Sequence, residues 1–274
     1  MKKLGFIGGG NMAEALARGL LDRKVFKAAE LIASDVDAAR RRKLARTLRI
    51  SVTDSNLEVV GGSRALLFAV KPQQIDEVLR EIADTIPAAT LKRKLVISIA
   101  AGITIARLSA GLGKGARIIR VMPNAPAMVG RGMAALVRSR SASKADEAFA
   151  LRIFRAVGDA VALTDEALLD PVTALSGSGP AYVYLFVKAL ADAAANEGIP
   201  SALALRMALK TVEGAEYNMR MSKLTPAELI RIVASRGGTT EAALKRFAAA
   251  GFSDIVAAAV HAAADRSREL GRSY

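Results

Sequence analysis

Up to about residue 164 the chain alternates short, continuously apolar runs with segments of helical periodicity, and beyond that point the runs stop. The runs are "KLGFIG" (3–8), "ELIASD" (30–35), "ALLFAV" (65–70), "KLVISIA" (94–100), "RIIRVM" (117–122), "GMAALVR" (132–138) and "AVALT" (160–164). A strand covered on both faces reads as an unbroken apolar run, whereas a half-solvated strand alternates. Strands that alternate with helices imply crossover units and a parallel sheet. Helices are expected at about Asn11–Leu21 and Ala38–Leu48, and another begins near Gln73 with Pro72 placed to open it. The pattern predicts an α/β fold, with a Rossmann-like, doubly wound sheet over residues 1–164.

From Asp165 onward only helices are expected, so residues 165–274 form an all-helical second domain. "DEALLDPVTALSGSGPAYVYLFVKALADAAANEGI" (165–199) reads as a helix, a Ser/Gly turn and a long apolar helix. Thr225, with Glu228 three residues later, has the spacing of a capping box. "AYVYLFVKALADAAA" and "VAAAVHAAA" are apolar nearly all round. Such helices need cover from several sides, and one small helical domain offers few neighbours. A homodimer through these helices is the economical expectation, and a tightly packed monomeric bundle is the alternative.

Composition excludes several classes of function. Without cysteine the chain has no disulfide, thiolate nucleophile or thiolate metal site, and no metal site is expected. No run of 18 apolar residues free of charge occurs, so no membrane span is expected. The first twenty residues begin like a secretion signal but are broken by Gly8, Gly9, Gly10, Asn11 and Glu14, which points to a cytoplasmic protein. The net charge of +14 raises nucleic-acid binding. Lys and Arg are spread along the chain, however, with local clusters only at Arg40–Lys43 and Lys92–Lys94 and no aromatics interleaved. A basic, solvated surface is expected instead, able to attract anionic small molecules.

Two glycine turns carry the chemistry. In "FIGGGNMA" (6–13), Gly8 and Gly10 fit the first two glycines of the dinucleotide fingerprint, and Ala13 stands at the small third position. The glycines allow a tight turn and let a pyrophosphate approach the backbone. Asp35 closes the second apolar run, where an acid binds the ribose hydroxyls of NAD, whereas an arginine nearby suits NADP. Arg40, Arg41 and Arg42 follow, so the choice between NADH and NADPH stays open.

The second turn, "SRGGTTEAALKRF" (235–247), places two glycines and two threonines at the start of a helix. Amides at a helix start suit a carboxylate, and the threonine hydroxyls can donate to a nitrogen or a second oxygen. An ordinary helix cap by Thr239 or Thr240 is the other reading. His261, the single histidine, lies on an apolar helix and reads as packing rather than catalysis. Reducing an imine fits this inventory, since its nitrogen can carry a proton before hydride arrives. A hydroxyacid dehydrogenase would need a positioned lysine, for which Lys188 is the candidate. A non-catalytic nucleotide sensor would have no use for a second ligand turn.

The chain resembles the pyrroline-5-carboxylate reductases over nearly its whole length. The resemblance rests on "FIGGGNMA", "FAVKPQ" (68–73), "ISIAAGIT" (97–104), "RVMPNAPAMVGRG" (120–132), "ALSGSGPAYVYLFVKALADA" (174–193) and "ASRGGTTEAALKRF" (234–247), in the family's order. It implies reduction of 1-pyrroline-5-carboxylate to L-proline by NADPH or NADH, the last step of proline biosynthesis. It also implies a helical domain that interlocks with a second copy, often within larger rings. By the same resemblance Ile7, Gly8, Gly9, Gly10, Asn11 and Met12 line the pyrophosphate, and Ser34 and Asn56 lie near the adenosine end. Ala69, Val70, Lys71, Pro72, Ile99, Ala100 and Ala101 border the nicotinamide. Ser235, Gly237, Gly238, Thr239 and Thr240 receive the substrate, with Thr240 donating toward its ring nitrogen. The chain departs from the family at Arg236, where a proline is usual, and at Ile232, where an acid is common. Asp35 is a further departure in a family that largely uses NADPH.

Overall fold

The computed structural model describes residues 1–273. It divides into two compact units, 1–178 with the chain from Ala262 onward, and Gly179–His261.

The first unit is built on eight strands: β1 (Lys2–Ile7), β2 (Leu31–Ser34), β3 (Ser51–Thr53), β4 (Ser63–Phe68), β5 (Leu95–Ser98), β6 (Arg117–Met122), β7 (Gly132–Arg138) and β8 (Gly158–Ala162). Their order is β3-β2-β1-β4-β5-β6-β7-β8, and the first six run parallel. β7 runs antiparallel to β6, and β8 parallel to β7. The 123–131 connection explains the reversal, because it is too short for the crossover that a parallel return requires. All seven expected runs are strands. β3 shows no apolar run in the sequence, since it is a three-residue edge strand with an exposed or half-buried face.

Seven helices cover the two faces. α1 (Asn11–Asp22), α2 (Ala38–Leu48) and α7 (Lys144–Phe154) bury Leu16, Leu20, Leu44, Ile153 and Phe154 against Phe6 and Leu67. α3 (Asn56–Gly62), α4 (Ile75–Thr85), α5 (Ala88–Lys92) and α6 (Ile105–Leu112) bury Val59, Val78, Ile82, Leu91 and Leu108 against Ile7 and Phe68. Successive strand residues therefore enter opposite cores, which is why the runs are apolar at every position. The helix expected near Gln73 begins as a 3-10 turn over Pro72–Gln74 before α4.

The sheet ends at Ala162, and the first unit continues to Ser178 because Leu169 packs with Ala135 and Val137. Here the expected Ser/Gly turn is helical. α8 (Leu169–Val172) passes into a π-helical stretch, Thr173–Gly177, and α9 (Gly179–Asn196) follows. The wider winding brings Gly177 against Met122, where a Cβ would lie 2.5 Å from the methionine Cε. Asn124 Nδ2 donates to the Ser176 carbonyl at 3.1 Å, satisfying a group that the irregular winding strands. Small residues here serve close packing, and only a bend at Ser178 separates the π-helical stretch from α9.

The second unit holds α9, α10 (Ser201–Ser222), α11 (Pro226–Val233), α12 (Thr239–Ala249) and the first part of α13 (Phe252–Ser273). Its own core is small: Val187, Ala191 and Ala208, flanked by Leu190 and Val212. Large apolar side chains on all its helices stay exposed, among them Tyr184, Leu185, Met207, Ile232 and Ile255. No single helix among the described residues is long and apolar enough to cross a membrane; only α12 and α13 jointly, across a 51° bend, reach that length and composition.

Candidate functional site

The parallel strands bring one edge of the first sheet together. Ser34, Ile7, Phe68 and Ser98 pair in one row across β2, β1, β4 and β5. The segments after these strands, Gly8–Met12, Ala69–Pro72 and Ile99–Ala101, therefore lie side by side at the carboxyl edge, where open α/β sheets bind ligands. The Ala69 N–H donates to the Ile7 carbonyl at 2.8 Å, and Ile99 N–H to the Phe68 carbonyl at 3.1 Å.

The glycines of the first turn do different work. Gly8 has φ +93°, and a Cβ there would lie 2.9 Å from the Ala69 and Val70 backbone. Glycine is needed at this position on both grounds. Gly10 is the N-cap of α1 with φ −61°, and the nearest atom to a Cβ built on it is the Ala69 carbonyl oxygen at 4.0 Å. This cradle, at the amides of a helix start, fits the pyrophosphate of a nicotinamide dinucleotide.

The Gly9 peptide is clamped from both sides. Its N–H donates to Asp35 Oδ2 at 2.9 Å, and its carbonyl accepts from Arg40 Nε at 2.6 Å. Asp35 Oδ1 accepts from the Asp37 N–H at 2.9 Å, so both carboxylate oxygens are engaged by backbone. Arg40 also donates to Asn11 Oδ1 and pairs with Glu14. Arg41 donates to the Asp35 and Val36 carbonyls and stands 3.5 Å from Asp54. Arg42 is exposed, with neither hydrogen bond nor ion pair among the described residues. Burial works to raise the Glu14 carboxyl; Lys43, Arg18 and Arg40 around it prevail and hold it below its ordinary range. The sequence sets Asp35 and the arginines in competition over the ribose. In the folded chain Asp35, Arg40 and Arg41 hold the turn, and the Arg42 guanidinium engages no other side chain among the described residues.

Ser34 is fully buried and does not face solvent. Its Oγ donates to Asn56 Oδ1 at 2.7 Å, and Asn56 Nδ2 donates to Glu81 Oε2 at 2.7 Å, so Ser34 orients Asn56 at the start of α3. Met12, Val70, Pro72 and Ile99 are half-buried, Ala100 is buried, and Asn11, Lys71 and Ala101 are exposed along the edge.

The second turn joins α11 to α12. Gly238 N–H donates to the Ser235 carbonyl at 3.0 Å, and Gly237 takes φ +73°, a left-handed conformation suited to glycine. Gly238, not a threonine, is the N-cap of α12, and no side chain caps the helix. The hydroxyls of Thr239 and Thr240 make no hydrogen bond among the described residues. Capping by threonine therefore does not account for the pair. The Gly237 N–H instead donates to the Glu241 carboxylate, which also pairs with Lys245 at 2.9 Å. Lys245, and then the Gly237 N–H, hold the Glu241 carboxyl below its ordinary range. Ser235 packs under the turn, because a Cβ on Gly238 would lie 2.5 Å from its Oγ.

Lys188 is exposed and pairs with Asp192 along α9, which fits a solvated lysine. His261 is exposed on α13, where a packed residue was expected; within one chain too few neighbours surround that helix. The Asn124–Ser176 contact was not read from the sequence. Its one signal there was a polar residue standing between two glycine- and proline-rich stretches.

Comparison with known proteins gives a consistent result. The model described as pyrroline-5-carboxylate reductase dimerisation matches residues 166–270, and that described as NADP oxidoreductase, coenzyme F420-dependent, matches residues 3–102. The chain is 42% identical over 268 residues to a pyrroline-5-carboxylate reductase of Pseudomonas aeruginosa, covering 98% of this chain and 96% of that protein. One from a Synechocystis species is also 42% identical, over 98% of each chain. Among solved structures, a pyrroline-5-carboxylate reductase from Coxiella burnetii is similar with a TM-score of 0.90 at 32% identity, over 98% of each chain. A pyrroline carboxylate reductase from Plasmodium falciparum, solved with NADP bound, gives 0.87 at 31% identity, again over 98% of each.

Proposed function

The chain belongs to the pyrroline-5-carboxylate reductase family, and from that premise we propose that it reduces 1-pyrroline-5-carboxylate to L-proline with NADPH or NADH. The observation that carries the reading is the α11–α12 turn. It is a helix start that already engages a carboxylate, and it leaves two threonine hydroxyls unspent.

NADPH or NADH, when bound, supplies the hydride. On this reading the amides of Gly8–Met12 and the dipole of α1 hold its pyrophosphate, with Asn56 and Asp35 toward the adenosine end. Ala69–Pro72 and Ile99–Ala101 wall the nicotinamide side. Ser235, Gly237 and Gly238 shape the substrate turn, and the Thr239 and Thr240 amides receive the substrate carboxylate. The Thr240 hydroxyl holds the ring nitrogen. The imine carbon gains the hydride and the nitrogen keeps or takes one proton from water, so no side-chain general acid is required. Division of labour follows the chain: residues 1–164 for the dinucleotide, residues 165–274 for substrate and dimerisation. The exposed apolar side chains of α9–α13 support a homodimer, assembled into a larger homo-oligomer in the cytoplasm.

The test is direct. Protein, NADPH and pyrroline-5-carboxylate are mixed, absorbance is followed at the nicotinamide band, and proline is identified chromatographically. Folded protein that binds NADPH but oxidises none of it on addition of substrate would sink the proposal in favour of a sensor. Turnover of hydroxy acids with NAD instead would favour a dehydrogenase.

A further inference from the structure

The opposite edge of the same sheet carries a second cleft, of about 900 Å³. It lies at the amino ends of β1, β4, β5 and β6, where the register sets Ala65, Leu95 and Arg117 in one row. Ligands of parallel sheets bind at the carboxyl ends, so this cleft is separate from the glycine turn. Its charged lining is one-sided: Lys3, Arg64, Arg93, Lys94 and Arg117, against the single acid Asp146.

The pairing leaves a surplus. Lys3 is balanced by Glu30 outside the cleft, and Arg117 by Asp146. Arg64, Arg93 and Lys94 have no carboxylate partner among the described residues. Contacts to main-chain carbonyls tie together the segments that carry these groups. Lys94 Nζ donates to the Ser63 carbonyl at 2.7 Å, beside Arg64, and Arg117 donates to the Arg93 carbonyl at 3.2 Å. Lys94 is only 6% exposed and spends one of its three N–H donors on that neutral carbonyl. Burial pushes its ammonium below the ordinary lysine range. Gathering like charges and burying one of them without a counter-ion is unfavourable unless an anion completes the cluster.

We infer that this cleft binds a polyphosphate anion, with three unbalanced cations matching a di- or triphosphate chain. Its volume exceeds that chain and leaves room for an attached organic group beside the half-buried ring of Phe149.

Calorimetric titration of the full-length protein with inorganic tripolyphosphate tests this, in 0.15 M salt, on the parent and on Gly10→Val, whose glycine turn is filled. The expected result is saturable binding of one anion per chain. Arg64→Glu and Arg93→Glu, both surface changes, each weaken it by about tenfold or more, since each replaces attraction with repulsion. Arg46→Glu, a reversal on α2 away from the cleft, leaves it unchanged. Tighter binding of ATP than of tripolyphosphate would further support the pocket beside Phe149. Absence of saturable binding overturns the inference. So does equal weakening by Arg46→Glu, which marks diffuse charge attraction, or loss of binding in Gly10→Val, which places the anion at the glycine turn.

Discussion

Thr240→Ala separates the two meanings of the α11–α12 turn. Thr240 is the second residue of α12, and its hydroxyl makes no bond within the protein, so alanine removes nothing that the folded chain uses. Alanine is the better helix former by up to about 0.7 kcal/mol. Stability should therefore hold or rise, and at roughly 2–4 °C per kcal/mol for a chain of this size the Tm should increase by no more than about 3 °C. If the hydroxyl donates to the imine nitrogen, losing that bond costs about 1–3 kcal/mol in the transition state, or roughly fivefold to 150-fold in kcat. Steady-state kinetics and thermal melting on one preparation read both quantities, and Thr240→Ser, which keeps the hydroxyl, should recover most of the rate. A kcat within twofold of the parent would refute the assignment. A Tm lowered by several degrees, with activity intact in the folded fraction, would restore the capping explanation.

Three further outcomes are expected. Gly10→Val puts a side chain into the cradle, with its Cβ in ordinary contact with the Ala69 carbonyl oxygen, so dinucleotide binding should vanish while the fold survives; unchanged NADPH affinity in calorimetry would disprove the turn's role. Asp35→Ser withdraws the acceptor of the buried Gly9 N–H, at about 1–3 kcal/mol, and removes a negative charge near the ribose. It should lower the Tm and shift relative efficiency toward NADPH; an unmoved ratio of NADH to NADPH kcat/KM means that Asp35 does not read the cofactor. Asp146 supplies the acid dependence. Its burial acts to raise its pKa, but Arg117 and Ser143 outweigh this and hold the carboxyl below the ordinary carboxylate range. A folded-state pKa below the unfolded one stabilises above the unfolded value and is lost as pH falls through the folded one. Asp146→Asn should thus cost about 1–3 kcal/mol in urea unfolding at pH 7, with the gap from the parent closing below about pH 4; a gap independent of pH would disprove the linkage.

How the sheet is laid out was legible because its strands are buried on both faces. Burial on both faces writes an unbroken apolar run, which needs no knowledge of neighbours to be seen. β3 left no such mark, since an edge strand of three residues buries too little. The Ser/Gly stretch before α9 misled for the opposite reason. Local turn chemistry pointed to a break, and packing against Met122 with Asn124 on the Ser176 carbonyl kept the chain wound. The first glycine turn was legible as a turn, because β1 runs directly into α1 and the positive φ of Gly8 between them suits glycine. What Asp35 and Arg40 do there was not legible. Their partner is the Gly9 peptide, brought within reach only when β2 pairs with β1, and a sequence shows charges without showing which are already spent. The threonines of the second turn were ambiguous until the helix start was placed: Gly238 takes the cap and leaves both hydroxyls free. The basic cleft stood in the sequence only as scattered lysines and arginines. Four parallel strands, each beginning at the same edge, turned that scatter into a cluster.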